Sequence, residues 1–331
     1  MKRLPLVLAS LLLVLASCSQ AGKGRPQLGL AMRSLDDSFS AAIRKSLETQ
    51  ALDKADLAIV DGQNQQPAQD MQVGSLFQRG LGALAVDPVD ALALGAIIGS
   101  AKARRVPIVF FDRRPTDEAM RSWDKLFFVG SREADGGAAL AAILASHWKA
   151  NPGDDRNKDG KVQILALGPD QDGPEMAALV GAFVKALEDE GIQSDLLDPE
   201  GQGGQSGGVP ALVAKYGERA EALLSGDPGS TLAAIEALKS AGYSKARKGI
   251  PVVGLGEGRP SAAIAEAIKA GTLLGAACVD LEGQGKAVFD LAYALARGRD
   301  PSKAGWRIDD VKFVWIPYKK YTSLSLLMTS Q

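Results

Sequence analysis

The sequence predicts an α/β protein built from two lobes, each containing its own largely parallel sheet. Short apolar runs alternate along the chain with longer segments of helical apolar spacing, such as residues 39–47 and 138–148. This alternation is typical of βαβ units. The strand-sized runs are apolar throughout, as expected when helices cover both faces of a parallel sheet. The length of 331 residues is enough for about two domains.

Eight of the apolar runs have the length and composition of buried strands. They cover residues 28–32, 57–60, 83–86, 107–111, 127–129, 162–167, 220–224 and 251–255. These strands and the helices between them are too many elements for a single small sheet. We therefore expect two lobes.

The N-terminus lies outside this pattern. A short basic segment precedes the apolar residues 4–16, which are too few to span a bilayer and have the build of a secretory signal. The run ends in Leu-Ala-Ser-Cys, which resembles the lipobox of bacterial lipoproteins. We predict a signal peptide at 1–17, lipidation of Cys18 and a polar tether at 18–26. The alternative is an ordinary signal peptide with a cysteine at its end by chance.

Charge and composition argue against several classes of function. The chain has 38 Lys and Arg residues against 39 Asp and Glu, a net charge of −1, so it lacks the basic surplus expected of a nucleic-acid-binding protein. Its 46% of hydrophobic residues argue against disorder. One histidine, His147, and two cysteines leave little for zinc sites or histidine-dependent nucleophiles.

Polar residues, most of them acidic, follow the predicted strands directly. Ligands of open α/β sheets bind beyond the carboxyl ends of the strands, so two lobes with facing strand ends would enclose a polar cleft. The candidates are Asp36, Asp37, Asp112, residues 170–175, residues 225–227, Glu257 and Asp280. The alternative is that Asp and Ser at these positions only cap helices.

Residues 155–163 have the spacing of a calcium loop, with oxygen side chains at positions 1, 3, 5 and 9 and glycine at position 6. The segment reads Asp155-Arg156-Asn157-Lys158-Asp159-Gly160-Lys161-Val162-Gln163. Position 12, where an EF-hand has its bidentate Glu, is Ala166, and a predicted strand follows. The segment is therefore not an EF-hand, and a calcium ion here needs a carboxylate from elsewhere. The alternative is a solvated turn.

Several motifs together resemble the family of bacterial galactose/glucose-binding proteins, which are periplasmic binding proteins of the type I fold. They occur over nearly the whole chain after residue 27, at Asp36-Asp37-Ser38-Phe39, 106–112, 127–130, 147–163, 234–239 and 314–318. The resemblance implies two Rossmann-like lobes joined by three crossovers. On this basis the first lobe comprises 27–130 with 281–305, and the second 131–280 with 306–331.

The resemblance also implies site residues. A structural Ca²⁺ would be held by the side chains of Asp155, Asn157, Asp159 and Gln163, the carbonyl of Lys161 and the carboxylate of Glu221. In the cleft, Asp37 and Phe39 match the family's ligand-binding residues. The other predicted ligand-binding residues are substitutions within that pattern: Asp112 and Asp227 for Asn, Glu175 for Asp, and Arg33 for Tyr.

Much of the family's remaining sugar pocket is replaced. The positions of its His, Arg, Asp and Asn hold Gly173, Leu179, Gly256 and Val279, in that order. Between Ile192 and Tyr216 no aromatic residue stands where the family has its stacking Trp. We therefore predict a modified or different saccharide as the ligand, and a cationic solute as the second choice. Arg33 and Arg259 are the cations expected nearby.

The function expected from the resemblance is that of a lipid-anchored, monomeric solute-binding protein on the periplasmic side of the cell envelope. It would close on a sugar-like ligand and deliver it to an ABC permease. A second reading is a sensor that presents its closed form to a chemotaxis or signalling receptor. A third is an enzyme or a protein that has lost its ligand. Catalysis requires an acid/base pair with separated pKa values, which clustered carboxylates alone do not show, so we predict no enzyme.

Overall fold

The computed structural model describes residues 24–168, 173–197, 208–243 and 249–328, in which strands and helices alternate. The strands are β1 (Gln27–Met32), β2 (Asp56–Asp61), β3 (Ala83–Val86), β4 (Ile108–Phe111), β5 (Leu126–Gly130), β6 (Lys161–Leu167), β7 (Gln193–Leu196), β8 (Ala222–Ser225), β9 (Val252–Glu257), β10 (Gly275–Val279), β11 (Phe313–Trp315) and β12 (Lys319–Thr322). The helices are α1 (Ser38–Ala51), α2 (Gln66–Phe77), α3 (Gly95–Arg104), α4 (Asp117–Arg121), α5 (Glu133–Ala150), α6 (Pro174–Asp189), α7 (Gly208–Tyr216), α8 (Pro228–Ser240), α9 (Ala262–Ala270), α10 (Leu281–Ala296) and α11 (Ser323–Met328).

The strands form two six-stranded sheets, ordered β11-β5-β4-β3-β1-β2 and β12-β10-β9-β8-β6-β7. Neighbouring strands are parallel except for β12, which runs antiparallel to β10. Each of the eight predicted strands is present, with β8 shifted toward Ser225. The predicted α/β fold with two parallel-sheet lobes is confirmed.

The chain passes between the sheets three times, after β5, after β10 and after β11. The predicted boundary at 305/306 is wrong, because β11 pairs with β5 in the first sheet. The rings of Phe313 and Trp315 lie 5.3 and 5.7 Å from that of Phe128, and Trp306 packs against the core of the same lobe. This aromatic packing holds residues 306–315 in the first lobe, so the third crossing lies between β11 and β12.

Two consecutive glycines of α5 allow close packing within the second lobe. A Cβ on Gly137 would lie 2.3 Å from the carbonyl oxygen of Leu179, so this glycine lets α5 approach α6. A Cβ on Gly136 would lie 2.8 Å from Leu255 and 3.1 Å from the ring of Tyr318. These approaches place α6 and Tyr318 beside the strand ends of the second lobe.

The predicted signal peptide at 1–17, Cys18 and most of the 18–26 tether lie outside the described residues. Among the helices that are described, none has both the length and the apolar character needed to cross a bilayer.

Candidate ligand-binding cleft

A cleft lies between the two lobes, at the carboxyl ends of the central strands of both sheets. It consists of two cavities of about 340 and 1050 Å³ that share lining residues, among them Asp112, Glu133, Glu257 and Tyr318. All six predicted ligand-binding residues line it. Arg33, Asp37 and Phe39 line the smaller cavity, Glu175 and Asp227 the larger one, and Asp112 both. The structure therefore brings all six of these side chains to one cleft.

On the first-lobe wall, Asp37 is both a helix cap and a cleft residue. Its Oδ1 accepts from the Ser40 backbone N–H at 2.7 Å, which satisfies a free donor of α1. Its Oδ2 lies 3.6 Å from the guanidinium of Arg33, which reaches into the cleft from the end of β1. Asn64 Oδ1 accepts from the same guanidinium at 3.3 Å. Capping and pocket lining are thus combined in Asp37.

Two further carboxyls of the first lobe lie at the ends of β3 and β4. Asp87 is fully buried, with Oδ2 3.7 Å from Arg33 Nε. Burial, and then the charge of Asp112, raise the pKa of Asp87 to about 7. Burial raises the pKa of Asp112 to about 6, although Arg33 and Arg113 act in the opposite direction. Asp87 was not predicted from the sequence, although it directly follows a predicted strand.

On the second-lobe wall, Asp227 caps α8 by accepting from the Ser230 backbone N–H at 2.9 Å. Its other oxygen is buried and has no hydrogen-bond partner among the described residues. Glu175 lies in the first turn of α6 and is exposed. Burial, followed by the charges of Glu175 and Asp135, raises the pKa of Glu133, although its own backbone N–H lowers it.

The predicted substitutions in the pocket line the cleft as well. The larger cavity is bordered by Gly173, Leu179, Gly256 and Val279, together with Met176 and Leu255. Glycine and aliphatic side chains offer no side-chain hydrogen bonds. At these positions the second-lobe wall therefore offers no side-chain hydrogen bonds, and its acceptors are the carboxylates of Glu133, Glu175, Asp227 and Glu257.

Of the two cations expected in the cleft, Arg33 lines it and Arg259 does not. Arg259 lines neither cavity, whereas Arg113, Arg114 and Arg132 do. Arg114 forms an ion pair with Asp117, and Arg132 donates to both carboxylate oxygens of Asp135 at 2.9 and 3.0 Å. Arg113 and Arg132 directly follow the strand-end motifs Phe111-Asp112 and Gly130-Ser131, so the strand-end rule had the signal to find them.

Outside the cleft, the 155–163 loop is organised around carboxylates that accept backbone N–H groups. Glu221 is buried, and its Oε1 accepts from the Arg156 N–H at 2.6 Å. Asp155 Oδ2 accepts from Gly160 at 3.0 Å, where φ is +78° and glycine permits the turn. Asp159 Oδ1 accepts from the Lys161 N–H, which lowers the pKa of Asp159. The structure thus brings Glu221 to the loop across 58 to 66 residues of sequence, as the resemblance implied.

The donor set of this loop fits a hard cation. Asp155 Oδ1 and Gln163 Oε1 are buried, and neither has a hydrogen-bond partner among the described residues. Over the ranges that the structure describes, no three His, Cys, Asp or Glu side chains converge as a metal cluster. An ion here would therefore also need amide and carbonyl oxygens, which Ca²⁺ accepts readily.

Comparison with known proteins decides the family. The model of the periplasmic binding protein domain matches residues 28–300. The D-galactose/methyl-galactoside binding periplasmic protein of Haemophilus influenzae is 31% identical over 319 residues, which is 92% of each chain. The chain belongs to the periplasmic binding protein family. A putative rhizopine-binding protein of Rhizobium meliloti is 24% identical to this chain. The match covers 90% of this chain and 91% of the rhizopine-binding protein.

Solved structures show the same fold. A periplasmic ribose ABC transporter protein of Conexibacter woesei has a TM-score of 0.69 at 18% identity, covering 92% of this chain and 94% of its own. A solute-binding protein of Bacillus halodurans with bound myo-inositol has a TM-score of 0.64 at 20% identity, covering 93% and 98%. The type I fold and the resemblance to sugar-binding periplasmic proteins are thereby confirmed.

Family membership also fixes the broad role of the chain. Its relatives are binding proteins of the periplasm, so this periplasmic binding protein is a solute-binding protein and not an enzyme. Membership implies a location in the cell envelope on the periplasmic side and a small-molecule ligand.

Proposed function

We propose that this protein binds a hydroxyl-rich solute, a saccharide or cyclitol other than glucose or galactose, in the cleft and passes it to an ABC permease. The single observation that carries the proposal is the cleft wall of Asp37, Asp112 and Asp227, which stands at the ends of parallel strands from both lobes. Ionised carboxylates accept hydrogen bonds and do not donate them, so they suit a ligand rich in hydroxyl donors. Phe39 in the same cleft offers a face for the apolar side of a ring.

The second-lobe wall supports a ligand other than glucose or galactose. Leu179, Gly256 and Val279 stand at positions where the resembled family has hydrogen-bonding side chains, and all three line the cleft. A hydroxyl facing an apolar wall loses its solvent hydrogen bonds without replacement, at about 1–3 kcal/mol each. The names of the relatives and structural neighbours reported above include galactosides, ribose, inositol and rhizopine. This range is consistent with a fold that is retained while the residues of its pocket vary.

We further propose a structural Ca²⁺ in the second lobe. Its ligands would be Asp155, Asn157, Asp159, Gln163, the Lys161 carbonyl and Glu221. The buried, unpartnered oxygens of Asp155 and Gln163 support this set. When bound, the ion supplies positive charge that joins the loop to the start of β8, and the chain's own carboxylates orient the loop through backbone N–H groups.

Lipid anchoring at Cys18 is part of the same proposal. The sequence around Cys18 supports it, and the anchor would hold a monomeric protein at the membrane beside its permease. Metabolic labelling with a radioactive or clickable fatty acid should mark the wild-type protein and leave Cys18→Ser unlabelled. Equal labelling of both would refute the anchor without touching the ligand proposal.

A ligand screen tests the proposed solute class. Thermal-shift measurements against sugars, cyclitols, nucleosides and amino acids should give stabilisation by members of the first two groups, because a ligand that binds only the folded state raises its stability. Small-angle X-ray scattering should then show a smaller radius of gyration with that ligand, as the lobes close. Stabilisation by nucleosides or amino acids alone would overturn the proposed solute class.

A further inference from the structure

We propose that the solute carries a protonated amine, and that the cleft holds this ammonium among Asp112, Glu133, Glu257 and the amide oxygen of Gln284. The inference rests on the proposed function, since it names the ligand class for the same cleft. The ligand is thus an aminated saccharide or cyclitol rather than a neutral one.

The first support is the pairing of charges in the cleft. Its arginines are already engaged: Arg33 with Asp37 and Asp87, Arg114 with Asp117, Arg132 with Asp135, and Arg113 with the Val89 carbonyl at 2.5 Å. By contrast, Asp112, Glu133 and Glu257 take part in no ion pair within 4 Å in the described parts of the chain. The carboxylates that face the smaller cavity therefore exceed the cations available to them.

The second support is that these carboxylates interact across the lobes. Asp112 follows β4 of the first lobe, and Glu257 ends β9 of the second. The charge of Glu257 contributes to the raised pKa of Asp112, so the two groups repel when both are ionised. A cation between them would replace this repulsion by attraction on both sides, and it would do so most strongly when the lobes are closed.

The third and independent support is a buried acceptor without a partner. Gln284 on α10 is 2% exposed and lines the smaller cavity with Asp112, Glu133 and Glu257. The Ser131 hydroxyl donates its single proton to the Ile316 carbonyl at 2.7 Å, so it only accepts from Gln284 Nε2 at 3.0 Å.

This chain of hydrogen bonds fixes the orientation of the Gln284 amide. With Nε2 on Ser131, Oε1 is left without a hydrogen-bond partner among the described residues. A buried acceptor costs about 1–3 kcal/mol if it stays unpaired. An ammonium has three donors and no acceptor, and the Gln284 amide oxygen with the three carboxylates of Asp112, Glu133 and Glu257 offers enough acceptors for all three donors.

Calorimetric titration of matched ligand pairs at pH 7.5 tests the inference. The probes are D-glucosamine with D-glucose, D-galactosamine with D-galactose, and an aminodeoxyinositol with myo-inositol. At least one amine should bind about tenfold more tightly than its neutral partner, the size expected of a charge-assisted hydrogen bond. Glu257→Gln should remove this preference, so that the amine and its neutral partner bind this variant with affinities within about twofold of each other. The matched control Glu282→Gln removes the same charge from an exposed site on α10 outside the cleft and should change nothing.

Each outcome of this experiment decides something. If every neutral partner binds as tightly as its amine or more tightly, the ammonium site is refuted and the proposed solute class stands. If no member of any pair binds, the ammonium site is refuted, and the proposed solute class stands or falls with the thermal-shift screen. If the amine preference survives in both Glu257→Gln and Asp112→Asn, the ammonium lies elsewhere and the assigned site is refuted.

Discussion

The 155–163 loop and the cleft both gather carboxylates, but they hold them in different ways. In the loop, Asp155, Asp159 and Glu221 each accept a backbone N–H from the same lobe. In the cleft, Asp112 and Glu133 are partly buried and have no ion pair within 4 Å among the described residues, and burial raises the pKa of both. The loop is therefore organised by hydrogen bonds within the chain, whereas Asp112 and Glu133 can accept hydrogen bonds from the proposed ligand.

Removing the proposed loop ion should have the largest effect. A ligand present at about a thousand times its Kd stabilises the folded state by about 4 kcal/mol. For a lobe of this size that corresponds to a fall of roughly 10 °C in melting temperature on chelation. Differential scanning calorimetry of the protein with calcium and with a chelator measures this fall.

The Glu221→Gln variant localises the effect. It should melt near the chelated wild type and respond little to calcium, because the buried carboxylate at the start of β8 is lost. Glu218→Gln, an exposed change nearby, is the matched control. Calcium stabilisation that persists in Glu221→Gln, or its absence in the wild type, would contradict the loop site.

Glucose and galactose should bind weakly, with Kd values of micromolar or above. The second-lobe wall holds Leu179, Gly256 and Val279 where the resembled family has hydrogen-bonding side chains, and each missing bond at a polar site costs a factor of ten or more in affinity. Calorimetric titration measures this directly. Submicromolar affinity for either sugar would show that the substituted contacts rebuild the family's pocket.

The buried carboxyl of Asp87 should produce a smaller effect, on the pH dependence of stability. Its pKa in the folded protein is raised to about 7 from 3.8. Between these two values the folded state binds more protons than the unfolded state, so the free energy of unfolding falls as pH rises and levels off above about pH 7. Asp87→Asn should remove this loss of stability, because an asparagine side chain does not ionise.

We expect Asp87→Asn to be more stable than wild type by about 1–2 kcal/mol at pH 8 and equal to it near pH 4. The gain is less than the full shift implies, because the variant also loses the attraction to Arg33. Urea unfolding across this pH range measures it. Asp90→Asn, exposed on the same loop, serves as the control, and equal slopes for Asp87→Asn and wild type would refute the role of the buried carboxyl.

The fold and the loop could be predicted from the sequence because their signals are local. Strands such as β3 and β4 are uninterrupted apolar runs, and the loop is a nine-residue pattern. The edge strand β7 reads Gln-Ser-Asp-Leu and was not predicted, since half of its surface faces water and its pattern is polar. β11 has only three residues, and its place in the first sheet depends on aromatic packing against β5.

The cleft could be predicted only in part, because its membership depends on contacts between distant segments. Asp37 and Asp112 follow strands and were found by that rule. Gln284 lies inside a helix, and Tyr318 lies after the third crossing, so no local pattern separates them from core residues. The buried state of Asp87 depends on Arg33 and on the loop that follows β3, where Gln69 donates to the Asp87 carbonyl at 2.7 Å. These contacts join segments that are distant in sequence, so no local sequence pattern predicts them.

The most direct test of the account is the binding of the screened ligand to one variant in each lobe. Asp37→Ser and Asp227→Ser remove a cleft carboxylate while keeping a helix-capping hydroxyl, and Asp300→Ser makes the same change at a short helix outside the cleft. Calorimetry should show that each cleft variant binds about tenfold more weakly or worse, while Asp300→Ser binds like wild type. Unchanged affinity in both cleft variants would show that the ligand does not lie between the lobes.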